Sequence, residues 1–272
     1  IEGLSASFIM YAIPFPAIDP IALEFGPVVV RWYSLAYVLG LIFGWRYALI
    51  LVSKFKLSIT RMHVDDFLLW ATLGVIIGGR LGYVLFYKPS YFAQNIPEIF
   101  AVWNGGMSFH GGAIGVLVAT GVFCRKNKIS IFSFGDLICA GVPVGLFFGR
   151  VANFINGELY GRQTTIPWGV IFPGAGPEPR HPSQLYEATL EGLILFAVIA
   201  VLVYRFSILS RPGLVAGCFF LGYGISRFTV EFVREPDAHL GLIFGPITLG
   251  QILTIPLTIG GLWLIYRAIK KS

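Results

Sequence analysis

Three groups of residues carry the polar chemistry of this chain, and each adjoins an apolar run. The first is Gly149-Arg150-Val151-Ala152-Asn153-Phe154-Ile155-Asn156-Gly157-Glu158-Leu159-Tyr160-Gly161, in which a hydrophobic segment ends in a guanidinium, two amides and a carboxylate. The second is Tyr223, Arg227, Glu231 and Arg234, whose spacings of four, four and three put them on one helical face. The third is His110, followed by Gly111 and Gly112. Guanidinium forks bind phosphate oxygens bidentately, Asn and Tyr side chains can donate to the same oxygens, and an imidazole can move a proton near neutral pH. The expected chemistry is therefore recognition of an anion, with the phosphate of a lipid as its source.

Those groups must be positioned by membrane helices. The chain has 272 residues, 56% hydrophobic and only 12% charged, with 24 Phe and 33 Gly. Its mean hydropathy is +0.77. Too little polar surface remains to face water, which excludes a soluble domain. The net charge of +6 is scattered among connections instead of forming one basic face, which argues against nucleic acid as a partner. Cys124, Cys139 and Cys218 show no paired spacing, so neither a disulfide framework nor a metal site is expected. Residues 1–24 are interrupted by Pro14, Pro16 and Pro20 and lack a basic start, unlike a cleavable signal peptide.

The reading is an all-α polytopic membrane protein with about seven transmembrane helices, near 28–52, 65–87, 107–123, 132–151, 185–204, 213–233 and 245–266. Residues 1–27 are expected to form an extracytoplasmic or interfacial segment. Residues 88–106, with Tyr91, Phe92, Phe100 and Trp103 among prolines, read as an interfacial arm, and 152–184 as a small extracytoplasmic cap within a single membrane-embedded domain. Alternate connections hold eleven of the 20 Lys and Arg, including Lys54, Lys56, Arg125, Lys126, Arg205 and Lys270. By the positive-inside rule that side is cytoplasmic, so the amino terminus is outside and the carboxyl terminus inside. Tyr33, Arg80, His110, Arg150, Glu187 and Arg227 then fall toward the outer leaflet, where several cations with few carboxylates to neutralise them suggest a bound anion.

Structural readings compete with this one. Arg150 and Arg227 could pair with Glu158 and Glu231 in a buried network, His110 could simply start a helix, and Arg80 could serve packing. The glycines of the spans, among them Gly74, Gly78, Gly82, Gly111 and Gly115, read as close helix contacts, not as a phosphate cradle. Asp65 and Asp66 are expected to cap a helix, not to hold a cation.

These motifs resemble the bacterial prolipoprotein diacylglyceryl transferase family. The resemblance rests on Gly149-Arg150-x-x-Asn153-Phe154-x-Asn156-Gly157-Glu158-x-x-Gly161, Arg31-Trp32-Tyr33, His110-Gly111-Gly112, Arg180-His181-Pro182-Ser183-Gln184-Leu185-Tyr186-Glu187 and Tyr223-x-x-x-Arg227-x-x-x-Glu231-x-x-Arg234, in the family's order over nearly the whole chain. It implies an inner-membrane enzyme that moves the diacylglyceryl group of phosphatidylglycerol onto the lipobox cysteine at the signal peptide of a prolipoprotein. The implied products are a thioether and glycerol 1-phosphate, and no cofactor or metal is implied.

Under that reading Arg150 and Arg227 stabilise the departing phosphate, and His110 is the candidate general base. Local positive charge that lowers the thiol pKa is the alternative to a base. Tyr33, Asn153, Asn156 and Tyr223 would bind substrate with Gly161 and Arg234, while Glu158 and Glu231 orient arginines and Gly157 and Gly161 form turns. A transporter or channel for an anionic solute is the alternative function; it would call for discontinuous helices and internal symmetry.

Overall fold

The computed structural model describes residues 12–16, 18–26, 28–55, 57–236, 242–244 and 247–271. Among the described residues, seven long helices occupy the seven expected spans: α1 (Trp32–Phe55), α2 (Arg61–Phe86), α4 (Phe109–Asn127), α5 (Ile131–Ile155), α6 (Ser183–Phe206), α7 (Leu214–Val230) and α8 (Leu249–Lys270), with a short α3 (Pro89–Gln94) in the arm. Five of them, α1, α2, α5, α6 and α8, are long and apolar enough to cross a bilayer, and α7 is a shorter apolar helix. Their outward side chains, such as Phe43, Leu69, Leu117 and Trp263, are apolar, as a lipid-facing surface requires. The chain is a polytopic membrane protein.

The helices fall into two compact units, Tyr47–Leu137 and Ile1–Arg46 with Ile138–Ser272. In the first, α2 and α4 pack through facing ridges of small residues. A Cβ on Gly74 would lie 2.8 Å from the carbonyl oxygen of Gly115, and one on Gly82 would lie 2.7 Å from Gly111 Cα. Glycines four apart on both helices thus bring the backbones together, as the sequence spacing predicts. Phe67, Phe123 and Phe134 pack at centroid distances of 4.9–5.3 Å at the far end of this pair. The cap of α2 differs from expectation: Thr60 accepts from His63 N, while Asp65 and Asp66 lie further along the helix.

In the second unit α7 and α8 approach through Gly217 and Gly261, and α1 approaches α5 at Gly40 and Gly145. Short strands join segments distant in sequence. β1 (Ile13–Pro14) pairs in parallel with β4 (Val170–Ile171), and Phe15 stacks on Phe154 and Phe172 at 5.5 and 5.4 Å. Part of the expected amino-terminal segment and the expected cap are therefore one structure. β2 (Ile21–Phe25) and β3 (Val28–Arg31) form an antiparallel ladder that leads directly into α1, and β5 (Leu242–Phe244) pairs with β6 (Ile247–Thr248) before α8. Helix α5 continues past the expected end at 151 through Ile155, so Asn153 is helical.

Candidate active site

The second unit brings the polar ends of α5, α6 and α7 together. Glu187 and Glu191 are both fully buried in α6, a helix otherwise dominated by aliphatic residues. Ala188–Ile194 is wound as a π-helix, a local irregularity that often accompanies function. Gly192 lies in this turn against α5: a Cβ there would come within 2.7 Å of Phe147 Cβ, so the absence of a side chain permits the close approach.

Glu187 joins two arginines from different helices. Arg150 Nε lies 3.2 Å from Glu187 Oε2, while Arg227 Nη1 donates to Glu187 Oε1. Arg150 Nη2 lies 3.5 Å from Glu191 Oε2, and Arg227 Nη2 lies 2.9 Å from Glu231 Oε2 one turn along α7. Arg234 Nη1 reaches to within 3.9 Å of Glu187 Oε1, and Thr248 Oγ1 donates to Glu231 Oε1 at 2.9 Å. Charge is thus balanced, with Arg150, Arg227 and Arg234 facing Glu187, Glu191 and Glu231.

This corrects the expectation of cations with few carboxylates. A buried guanidinium needs a counter-charge, and α6 supplies two that the sequence reading left without a role. Glu187 Oε2, both oxygens of Glu191 and Glu231 Oε2 make no aligned hydrogen bond, so charge proximity holds them. The signal in the sequence was the pair Glu187 and Glu191, four apart in an apolar span; Glu191 was missed altogether.

Glu158 does something other than orient an arginine. The chain turns after α5 at Gly157, with φ +66°, and the Glu158 carboxylate accepts from Asn153 Nδ2 at 2.8 Å and Asn156 Nδ2 at 3.2 Å. A local amide–carboxylate turn thus holds it. Gln184 Nε2 donates to Glu158 O at 2.5 Å and Ser183 Oγ to Leu159 O at 3.0 Å, which fastens this turn to the start of α6. Gly161 has a different need for glycine from the turn expected: a Cβ would lie 2.7 Å from His181 Cβ, where the cap backbone crosses. Its N–H donates to His181 O at 2.8 Å, and Arg162 N and Nε donate to Val233 O and Arg234 O at 2.8 and 2.9 Å. The segment carrying Arg234 is thereby stitched to the cap.

The Tyr223 phenol on α7 interacts electrostatically with Glu191, Arg227 and Arg150. Tyr33, in the first turn of α1, bonds Tyr37 Oη at 3.2 Å and feels the charges of Glu158 and Arg150. His181 Nδ1 lies 3.3 Å from Tyr186 Oη, which accepts from Trp168 Nε1 at 2.7 Å; burial holds the His181 pKa below the ordinary imidazole value. Arg180 bonds Gly161 O at 3.2 Å and Glu235 Oε2 at 3.0 Å and lies over the Tyr160 ring.

His110 belongs to the other unit. It is exposed in the first turn of α4, whose N-cap Ser108 accepts from Gly111 N at 3.2 Å, and its ring meets Phe109 edge-on. Among the described residues no group of three or more His, Cys, Asp and Glu gathers in the manner of a metal site.

Comparison with known proteins gives one consistent likeness. The family profile described as prolipoprotein diacylglyceryl transferase matches residues 20–267. A phosphatidylglycerol–prolipoprotein diacylglyceryl transferase of Paramagnetospirillum magneticum is 54% identical over 263 residues, covering 96% of this chain and 98% of the relative. Proteins of the same name from Azospirillum brasilense and Rhodospirillum rubrum are 53% and 54% identical, over 96% and 93% of this chain and 98% and 93% of their own lengths.

Proposed function

The chain belongs to the prolipoprotein diacylglyceryl transferase family, and on that premise we propose how its buried arginine–glutamate cluster carries out the transfer. The protein is an enzyme that transfers the diacylglyceryl group of phosphatidylglycerol to prolipoproteins. The observation that carries the site assignment is that one buried carboxylate, Glu187, holds Arg150 of α5 and Arg227 of α7 at once.

The acceptor is the thiol of the lipobox cysteine at the signal peptide. Its sulfur attacks the glycerol carbon that bears the phosphate; the S–C bond forms as the C–O bond breaks. The electron pair leaves on glycerol 1-phosphate, whose oxygens gain negative charge. Arg150 and Arg227 face that charge from two helices. Donors already fixed in a water-poor site stabilise it without reorganising, and a guanidinium presents two parallel N–H groups to one phosphate. The N–H groups of Arg150 and Arg227 that face the weakly aligned glutamate oxygens can turn to phosphate oxygens as the anion arrives. Arg234 and Tyr223 line the same cluster. Asn153, Asn156 and Glu158 form a preset turn beside it, with Tyr33 within electrostatic reach of that turn.

The thiol proton requires an acceptor. Because three glutamates balance the three arginines, excess positive charge is a poor means of lowering the thiol pKa, which favours a base. His110 is that base, and the proton then passes to the departing phosphate. Eleven Lys and Arg in alternate connections support an outward amino terminus, a cytoplasmic carboxyl terminus, a location in the bacterial inner membrane and a reaction centre toward its outer leaflet.

The test is direct. Purified protein, given phosphatidylglycerol vesicles and a lipobox peptide, is expected to release glycerol phosphate and lipidate the peptide without added metal or nucleotide. Failure of both products under folded conditions would sink the reading.

A further inference from the structure

Arg80 is only 5% exposed in α2, yet among the described residues no carboxylate pairs with it. Its charge is met by main-chain oxygens instead. Nε donates to Ile99 O at 2.9 Å, Nη2 to Glu98 O at 2.5 Å, and Nη1 to Gly105 O at 2.5 Å and Gly106 O at 3.2 Å. The guanidinium lies over the Phe92 ring at 5.1 Å. Glu98 itself turns its carboxylate away, to accept from Tyr91 Oη at 2.7 Å. Four carbonyls spread over one loop require the five-donor planar fork of arginine; the ammonium of lysine has three donors at one point.

The loop that Arg80 gathers runs straight into α4. Gly105 and Gly106, with φ +78° and +77°, turn the chain, and Ser108 N then donates to Gly79 O at 2.9 Å, beside Arg80 on α2. Gly82 and Gly111 hold the same ends in contact. The first turn of α4 is thus fixed from two sides, by the glycine ridge and by the loop that Arg80 organises, and His110 lies in that turn.

We propose that Arg80 is a positioning residue for the transfer reaction: by gathering the carbonyls of Glu98, Ile99, Gly105 and Gly106 it fixes the first turn of α4 and the placement of His110. It does not touch substrate. The inference rests on the reading that His110 accepts the thiol proton. Replacing an arginine present only for stability would lower the melting temperature and leave turnover of the folded protein unchanged.

The experiment uses the full chain in lipid nanodiscs, comparing Arg80→Lys, His110→Gln and the double variant below their melting temperatures. Arg80→Lys is expected to lower kcat by about 10- to 100-fold, as small misplacements of a reacting group do. KM for phosphatidylglycerol should stay near the unmodified value, and amide exchange over 98–108 should accelerate. The double variant should be no slower than His110→Gln alone. Should Arg80→Lys leave too little folded protein, Gly105→Ala disturbs the same carbonyl acceptor while Arg80 stays in place, and it should show the same pattern to a smaller degree. Full activity of His110→Gln would overturn the base reading. Normal kcat in Arg80→Lys while His110→Gln is inactive, or losses that multiply in the double variant, would overturn the inference for Arg80 alone.

Discussion

At the scale of single residues, the site depends on pairing more than on net charge. Arg150 meets Glu187 and Glu191, and Arg227 meets Glu187 and Glu231, so each guanidinium is held between two carboxylates. Arg150→Lys keeps the charge but loses the fork, and we expect turnover to fall by about 100-fold or more, as when one donor to a developing oxyanion is removed; glycerol phosphate release measures it. Glu187→Ala leaves two buried guanidinium groups without their shared partner, a defect of about 3–5 kcal/mol in comparable buried pairs. A lower melting temperature together with lost turnover is expected; a protein of normal stability would remove Glu187 from the centre of the network. His181 allows a pH test outside the spans. Burial lowers its folded pKa, so the unfolded chain binds the proton more readily. No penalty exists above the ordinary imidazole range, near pH ~6.5. As pH falls below it the penalty grows, until the folded pKa is passed. Cap proteolysis at mildly acidic pH should therefore rise more in the unmodified protein than in His181→Gln, and equal slopes would refute this.

At the scale of elements, the helices are shaped by where side chains are missing. Gly74, Gly78 and Gly82 on α2 face Gly111 and Gly115 on α4, and a side chain at any of them meets backbone. Gly115→Leu is expected to cost at least the ~1–3 kcal/mol of ordinary overpacking, read as a fall in thermal stability in detergent; an unchanged melting temperature would mean that the two helices pack some other way. This contact was legible from spacing, because small residues four apart define one helix face whatever lies opposite. The π-turn Ala188–Ile194 was not legible. Within it Gly192 packs against Phe147 of another helix, and nothing in the local run Ala188-Thr189-Leu190-Glu191-Gly192-Leu193-Ile194 announces that neighbour.

At the scale of the whole molecule, alternating loop charge predicts an outward amino terminus and a cytoplasmic carboxyl terminus. Cysteine reporters at Lys128 and Trp168 should label from opposite sides of sealed cells, with Trp168 reached from outside by an impermeant reagent. Labelling of both from one side would contradict the topology. The sequence by itself determined the seven helices, their apolar outer faces, the glycine contacts and the isolated charges of the spans. Hydropathy, residue size and isolated charge are properties of the residues themselves and survive without knowledge of neighbours. Only the tertiary structure decided which carboxylate serves which arginine, turned Glu158 toward Asn153 and Asn156, joined Ile13 to Val170 in one ladder, and gave Arg80 a loop of carbonyls to hold. Those outcomes depend on which helix faces meet and which polar groups burial leaves to be satisfied, and no local run of sequence encodes either one.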